Sequence, residues 1–329
     1  MAKGKYTSFQ TPEKWEKVNR HNKEIISDYE LELKSRGKSI NTIKQYINDL
    51  KILACFVHDE YENIEFYKLT KKQIRNFVIF LQDKNTSPAR INRILSSVRT
   101  MLDFAIDDED YEDLYTKNVA SKIKGLEKKE VREIVFLDMD EIHYLHKYLM
   151  DRERYQEALL IALLIDTAGR KNEIYQIQKS SITQDGFFTN EVTGKGDKKF
   201  RLMYRELTKE TFPLYIEQRG DDTEEFLWYK KESDGTISEA SKDVLYYWIK
   251  KWNKILEEKT GVMKNFNIHS FRHSALELLS TGKHYICKDG QKFELNVLQA
   301  LAHHNDISTT NSYLKDKTED ILLEAFNIG

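Results

Sequence analysis

Residues 154–173 read RYQEALLIALLIDTAGRKNE, and this stretch decides the architecture. Its first part, 154–166, is strongly apolar on every side of a helix, the mark of a buried element around which a domain is built. The run is far shorter than the roughly 18 apolar residues that cross a bilayer, and no other stretch approaches that length. Directly after it come Arg170, Lys171 and Glu173, charge delivered to the end of a buried helix.

Outward toward the C-terminus the pattern stays mostly helical. The domain begins at Leu137, where Asp138 and Glu141 make a helix start. Residues 187–204, FFTNEVTGKGDKKFRLMY, read as a β-hairpin turning at Gly194–Asp197. Helices are expected at 207–218, 239–258, 271–280, 295–302, 307–314 and 317–327. Between them, Lys288-Asp289-Gly290 marks a turn joining two short apolar pieces.

Toward the N-terminus a smaller helical domain appears. Residues 12–36 are charged and helix-forming, ending near Arg36-Gly37 with a glycine C-cap. Ser39 or Asn41 caps the next helix, where Ile43, Tyr46, Leu50, Leu53 and Phe56 recur at three- and four-residue steps. A third helix over 71–83 turns Ile74, Phe77, Val78 and Leu81 inward. Ser87-Pro88 opens a fourth, with Ile91, Leu95, Val98, Leu102 and Ile106 on one face. Arg90, Arg93 and Arg99 stand outside that stripe, either as a solvated surface or as a row of phosphate contacts. Residues 108–136 change character, from an acidic patch to a run containing Lys122, Lys124, Lys128 and Lys129, and read as a partly extended connection. The boundaries follow: a first domain at 1–116, a linker at 117–136 and a second domain at 137–329.

Composition agrees with this division. The chain has 329 residues, enough for two domains, and its 13 Gly and 3 Pro are too few for a linker-rich or all-β protein. The N-terminus has no apolar segment of the secretory kind. Cys55 and Cys287 lie far apart and make no metal-type spacing, so we expect reduced packing residues in a cytosolic protein and no bound metal. A net charge of −2 weighs against a strongly basic nucleic-acid binder, but affinity depends on where Lys and Arg cluster.

Four local patterns carry chemistry. They are Thr167–Glu173 (TAGRKNE), Gly194-Lys195-Gly196 in the hairpin turn, His269–His273 (HSFRH), and His304 with Tyr313 nine residues later in HNDISTTNSY. Singly, each has a structural reading: Arg170 as the ion-pair partner of Glu173, Lys195 as a hairpin-tip charge, His269 as a cap, Tyr313 as a packing aromatic. Together, two arginines, a lysine, two histidines and a tyrosine are what metal-free phosphodiester transesterification requires. Two guanidiniums neutralise the non-bridging oxygens of a phosphate in its transition state. A lysine protonates the leaving 5′-oxygen and a histidine assists proton transfer. A tyrosine stores the bond energy as a phosphotyrosine, so no nucleotide is consumed.

This ordered set resembles that of the tyrosine recombinase, or phage integrase, family, and the resemblance covers nearly the whole chain. SINTIKQYINDLKILACF (39–56) and SPARINRILSSVRTMLDFA (87–105) are similar to two helices of the family's core-binding domain, and VFLDMDEIHYL (135–145) to the usual opening of its catalytic domain. The resemblance implies a mainly α fold: an all-helical, SAM-like N-terminal core-binding domain, and a catalytic domain with a small β-hairpin. It implies a catalytic set of Arg170, Lys195, His269, Arg272, His304 and Tyr313, supported by Glu173 and His303. Lys44, Arg90, Arg93, Arg99, Lys198 and Lys199 become the candidate DNA contacts. No cofactor is implied.

Three departures stand out. The first box reads TAGR where the family more often has TGLR. The third reads AHH where Leu-Gly-His is usual, leaving His303 or His304 to face the phosphate, with His304 favoured by its spacing to Tyr313. The stretch GKHYICKDGQKFE (282–294) is longer than typical, either a surface hairpin or a contact to DNA or a neighbouring subunit. Lys198 and Lys199 compete with Lys195 for the acid role.

What the resemblance implies is a site-specific recombinase of phage or mobile-element DNA. It works through a 3′-phosphotyrosyl intermediate, in the cytoplasm of a prokaryote, near the nucleoid. Its partners are duplex DNA with inverted-repeat half-sites and further copies of itself, dimer to tetramer, joined through the C-terminal amphipathic segment KTEDILLEAFNIG (317–329). A DNA-binding regulator or phage repressor on the same fold is the alternative. The first 11 residues are too few to fold into a further domain.

Overall fold

The computed structural model describes residues 10–127, 134–304, 310 and 314. The chain divides into two compact units, Met1–Arg132 and Glu133–Gly329. Among the described residues no helix is long and apolar enough to cross a membrane.

Among the described residues the first unit holds five α-helices: α1 (Pro12–Lys17), α2 (Arg20–Ser35), α3 (Ile40–Glu60), α4 (Lys71–Asp83) and α5 (Pro88–Asp107). The single helix expected over 12–36 is broken at Val18-Asn19. Asn19 leaves the helical conformation to cap α2, accepting from Asn22 N at 2.8 Å, and its amide bonds the Asn63 and Ile64 carbonyls. Ser39 caps α3, and a Thr70–Gln73 capping box opens α4. Ile25, Leu50, Phe77, Leu95 and Val98 are fully buried between the helices, each contributing roughly 1.5–3 kcal/mol by leaving water.

The first part of the 108–136 stretch, read from sequence as a partly extended connection, is packed. Tyr111, Tyr115, Ala120 and Ile123 are buried against the helices, and Asn92 fastens Leu126 through both its N–H and its carbonyl. Charged neighbours hide this stripe in the sequence, because the apolar positions follow no single period.

The second unit is built around α7 (Tyr155–Thr167), where every residue from Glu157 to Thr167 is buried. Around it lie α6 (Met139–Met150), α8 (Lys171–Tyr175), α9 (Glu206–Arg219), α10 (Asp243–Thr260), α11 (Ile268–Thr281) and α12 (Leu295–Ala302). The Asp138–Glu141 capping box starts α6. The expected hairpin forms as β1 (Phe188–Thr193) against β2 (Lys199–Met203), antiparallel. A second hairpin, β3 (Tyr229–Lys231) with β4 (Ile237–Glu239), precedes α10, where a helix starting at 239 was expected.

Asp166, buried on α7, caps α9 from outside that helix. Its carboxylate accepts from Arg205 N at 2.9 Å and Thr208 N at 3.0 Å, and from Tyr285 Oη at 2.5 Å. Tyr285 belongs to the long 282–294 segment, which is fastened to the core: His284 is buried and Phe293 N bonds Leu279 O at 3.0 Å. A 3-10 turn at Lys288–Gly290 stands where a surface hairpin was one expectation.

Candidate active site

The site starts where α7 stops. Ala168 ends the helix in the left-handed region at φ +49°, and its carbonyl accepts from Arg272 Nη1 at 2.5 Å. This is the position where the related motif more often has glycine. Here the glycine stands one place later, at Gly169, where a Cβ would come within 2.8 Å of Ile174 Cδ1 and 2.9 Å of Thr167 Oγ1. The left-handed turn is thus formed by alanine in this chain, at roughly 1–2 kcal/mol of strain.

Arg170 follows as the N-cap of α8. Its backbone N–H donates to Glu173 Oε2 at 2.8 Å and its Nη1 to Glu173 Oε1 at 2.9 Å. Glu173 is almost fully buried while Arg170 is half-buried, so the carboxylate holds the guanidinium at the protein surface. The hairpin turn lies beside this pair: a Cβ on Gly194 would approach Glu173 Oε1 to 3.4 Å, and Gln176 exchanges two hydrogen bonds with Thr193. Lys195, Lys198 and Lys199 are all exposed around the turn, and Lys199 pairs with Glu191 on the neighbouring strand at 3.3 Å.

Arg272, one turn into α11, is buried and ties three segments together. Besides Ala168 it donates from Nη2 to Ala302 O at 2.7 Å and to His304 Nε2 at 2.7 Å. A guanidinium has no acceptor, so His304 Nε2 carries the lone pair and Nδ1 carries the proton. That proton is directed at Thr310 Oγ1, 2.9 Å away. Burial, reinforced by Arg272, Arg170 and His303, pulls the His304 pKa down to about 4, which keeps the ring neutral near pH 7.

His303 leaves α12 at φ +51° and stacks on Phe200 of β2, ring centroids 3.9 Å apart. Burial and the nearby Lys198, Arg272 and Arg170 lower its pKa, against the pull of Glu173. His269, at the N-terminal end of α11, stays exposed as a residue. Partial burial of its ring, then His273, Arg272 and Arg170, lower its pKa. One region thus gathers Arg170, Glu173, His269, Arg272, His303, His304 and the hairpin turn. Tyr313, and the expected helices at 307–314 and 317–327, lie outside the described residues, apart from single positions at Thr310 and Leu314.

In the first unit, Lys44 and Arg90 are exposed, and Arg93 and Arg99 have internal partners. Arg93 forms a bidentate bridge to the fully buried Asp49, at 2.9 and 3.1 Å. Arg99 donates to the carbonyls of Ala120 and Ile123, holding down the segment after α5. Asp49 and Ile123 lie too far away in sequence for either partnership to be read there.

Sequence reasoning passed over α10. Its first turn adjoins the site, with Lys242 Nζ 2.6 Å from Asn172 Oδ1, and its outer face exposes Tyr246, Tyr247, Lys250, Lys251 and Lys254. The spacing of those five residues on one helix face was the available signal. Among the described residues no cluster of His, Cys, Asp or Glu is arranged to hold a metal. A cavity of about 720 Å³ between β2, α9 and the 285–293 segment contains none of the candidate residues.

Comparison with known proteins gives the site its relatives. The phage integrase family model matches residues 135–320, and the model of the phage integrase N-terminal SAM-like domain matches 25–109. The chain is 26% identical to tyrosine recombinase XerD of Oceanobacillus iheyensis, over 84% of this chain and 88% of that one. It is 24% identical to the SPbeta prophage-derived recombinase-like protein YomM of Bacillus subtilis, over 94% and 92%. The Tn1549 transposon integrase in complex with transposon right end DNA shares the fold, with a TM-score of 0.67 at 14% identity, over 92% of this chain and 99% of that one.

Proposed function

This chain belongs to the phage integrase family, and we propose that it is a site-specific tyrosine recombinase acting on duplex DNA. The observation that carries the reading is the joining of Arg272 to His304, in one region with the Arg170–Glu173 pair and the lysine-bearing turn.

In this reading Arg170 and Arg272 face the non-bridging oxygens of the scissile phosphate, where negative charge builds as the phosphorus becomes five-coordinate. Tyr313 Oη attacks phosphorus and gives up its proton to a neighbouring histidine. The bond to the 5′-oxygen breaks, and Lys195 delivers a proton to that oxygen. The products are a 3′-phosphotyrosyl link and a free 5′-hydroxyl. A 5′-hydroxyl from the partner strand then attacks the phosphotyrosine, restores the backbone and releases Tyr313, so no outside energy source is needed.

Exposed cations at Lys44 and Arg90, and the Tyr/Lys face of α10, supply contacts to backbone phosphates. Inverted half-sites bind two copies, and two such pairs assemble the four strands for exchange, linked through the segment 317–329. The likeness to XerD and to YomM, and to an integrase solved on transposon DNA, supports this reading.

The test is a nicked duplex carrying a binding site selected from random sequence. The nick lets the short 5′-hydroxyl strand diffuse away and traps the intermediate. A band of protein covalently joined to DNA on a denaturing gel supports the reading. Tight specific binding with no such band, at every nick position, overturns it.

A further inference from the structure

The end of α12 carries a histidine where its backbone favours glycine. His304 N bonds Gln299 O at 3.1 Å and His303 N bonds Ala300 O at 3.1 Å, the two bonds that close a helix on a left-handed residue. His303 is that residue, at φ +51° and ψ +41°. Glycine takes this conformation freely, whereas an L side chain takes it under strain. The imidazole placed there lies flat on Phe200 of β2, with ring centroids 3.9 Å apart and planes 19° apart. Such a stack removes the facing sides of both rings from water.

The edge of the same Phe200 ring lies against the hairpin turn. A Cβ on Gly194 would stand 2.5 Å from Phe200 Cε1 and 2.8 Å from its Cζ. The ring therefore occupies the space of a side chain at Gly194, the residue that precedes Lys195. Gly194, Phe200 and His303 form one continuous contact from the turn to the end of α12. His303 in turn adjoins His304, whose Nε2 accepts from Arg272.

The β1 side of the hairpin has its own anchor, the two bonds between Thr193 and Gln176, each 2.9 Å long. Gly194 N bonds Lys198 O at 2.8 Å and closes the turn. The turn itself, Lys195 to Lys199, is exposed and contains Gly196 at φ +73°, so its own chain constrains it little. Phe200 supplies an anchor on the β2 side, and it reaches the arginine–histidine pair only through His303.

We propose that His303 is a positioning residue: through Phe200 it holds the turn so that Lys195 reaches the leaving 5′-oxygen, and it carries no proton itself. This deepens the recombinase reading and rests on it. A lysine displaced by about 1 Å loses much of its effect as an acid, because proton delivery requires hydrogen-bond distance to the oxygen.

The experiment compares the full chain with its His303→Gly, His303→Phe and Phe200→Leu variants on two nicked duplexes carrying the selected site. They differ in one atom: the bridging 5′ position of the scissile phosphate is oxygen in one and sulfur in the other. Sulfur leaves as a thiolate and takes up no proton, so its departure does not need the lysine. On the oxygen duplex, covalent complex formation is expected to slow about 10–10²-fold in His303→Gly and Phe200→Leu, and on the sulfur duplex to stay within about threefold. His303→Phe, which keeps a flat ring and has no nitrogen to carry a proton, regains most of the rate. Equal losses on both duplexes, or a His303→Phe variant as slow as His303→Gly, overturn the proposal.

Hydrogen exchange of the peptide covering 194–200 is followed in the same four proteins and needs no cleavage. Faster exchange in His303→Gly and Phe200→Leu, but not in His303→Phe, supports the clamp. Exchange at the wild-type rate in all three variants overturns it. A wild-type chain that forms no covalent complex on either duplex counts against the recombinase reading, and the exchange result then decides the clamp by itself.

Discussion

Arg272 Nη2 and His304 Nε2 lie 2.7 Å apart, and the arginine is the donor. The histidine therefore serves as an acceptor that orients a buried guanidinium, with its own proton turned toward Thr310. A side chain that accepts nothing in that place leaves one N–H of Arg272 Nη2 unmatched, while the other stays on Ala302 O. His304→Leu is expected to reduce the rate of covalent complex formation about 10²-fold while duplex affinity stays within about threefold. His304→Gln, which offers an amide oxygen, recovers part of the rate. Equal loss in both variants would remove the orienting role.

Arg93 and Arg90 sit three residues apart on α5, yet different failures are expected of them. Arg93→Ala strands the buried Asp49 carboxylate and should cost about 3–5 kcal/mol of stability in urea unfolding. Arg90→Ala, at an exposed position, should lower the salt slope of DNA binding by about 1. Unchanged stability in Arg93→Ala would contradict the structural role of its ion pair.

Ala168 holds a left-handed conformation at the turn that supports Arg272. Replacement by glycine relieves strain but removes a buried methyl, two effects of about 1 kcal/mol and opposite sign, so little net change is expected. Ala168→Val places a β-branched side chain in the left-handed region and should destabilise the protein by more than about 2 kcal/mol. Thermal melting of the two variants separates these outcomes.

His284 is buried against Ile165 O, and burial takes its pKa down to about 4. An unfolded chain binds the proton near pH 6.5, so between that pH and about 4 the unfolded state holds more protons than the folded one. Stability is fully present above pH 6.5 and falls as the pH drops. From pH 7 to pH 5 the loss from this residue is about 2 kcal/mol. Urea midpoints of wild type and His284→Gln at the two pH values test it, the variant showing the smaller fall.

The parts of the fold legible in sequence were those fixed by local chemistry. Ser39, Ser87 and Asp138 start helices where capping rules put them, and the apolar run of α7 is buried as its composition demands. The pairing of Arg170 with Glu173 was legible because it spans one helical turn. What escaped reading depends on distant partners. Asp49 claims Arg93 across 44 residues, and Asp166 reaches Tyr285 across 119. The β3–β4 hairpin did carry a local signal, Asp234-Gly235 with Gly235 at φ +87°, overshadowed by the charged residues around it. The tight packing of residues 111–126 was hidden in the same way, by lysines and acids between Tyr111, Tyr115, Ala120 and Ile123.

The central claim is that Tyr313 becomes covalently joined to DNA, and peptide mapping of the trapped complex tests it most directly. After protease and nuclease digestion, mass spectrometry should find a 3′-nucleotide on the peptide containing Tyr313, and Tyr313→Phe should yield no adduct while binding DNA normally. An adduct on any other residue, or one that persists in Tyr313→Phe, would contradict the account.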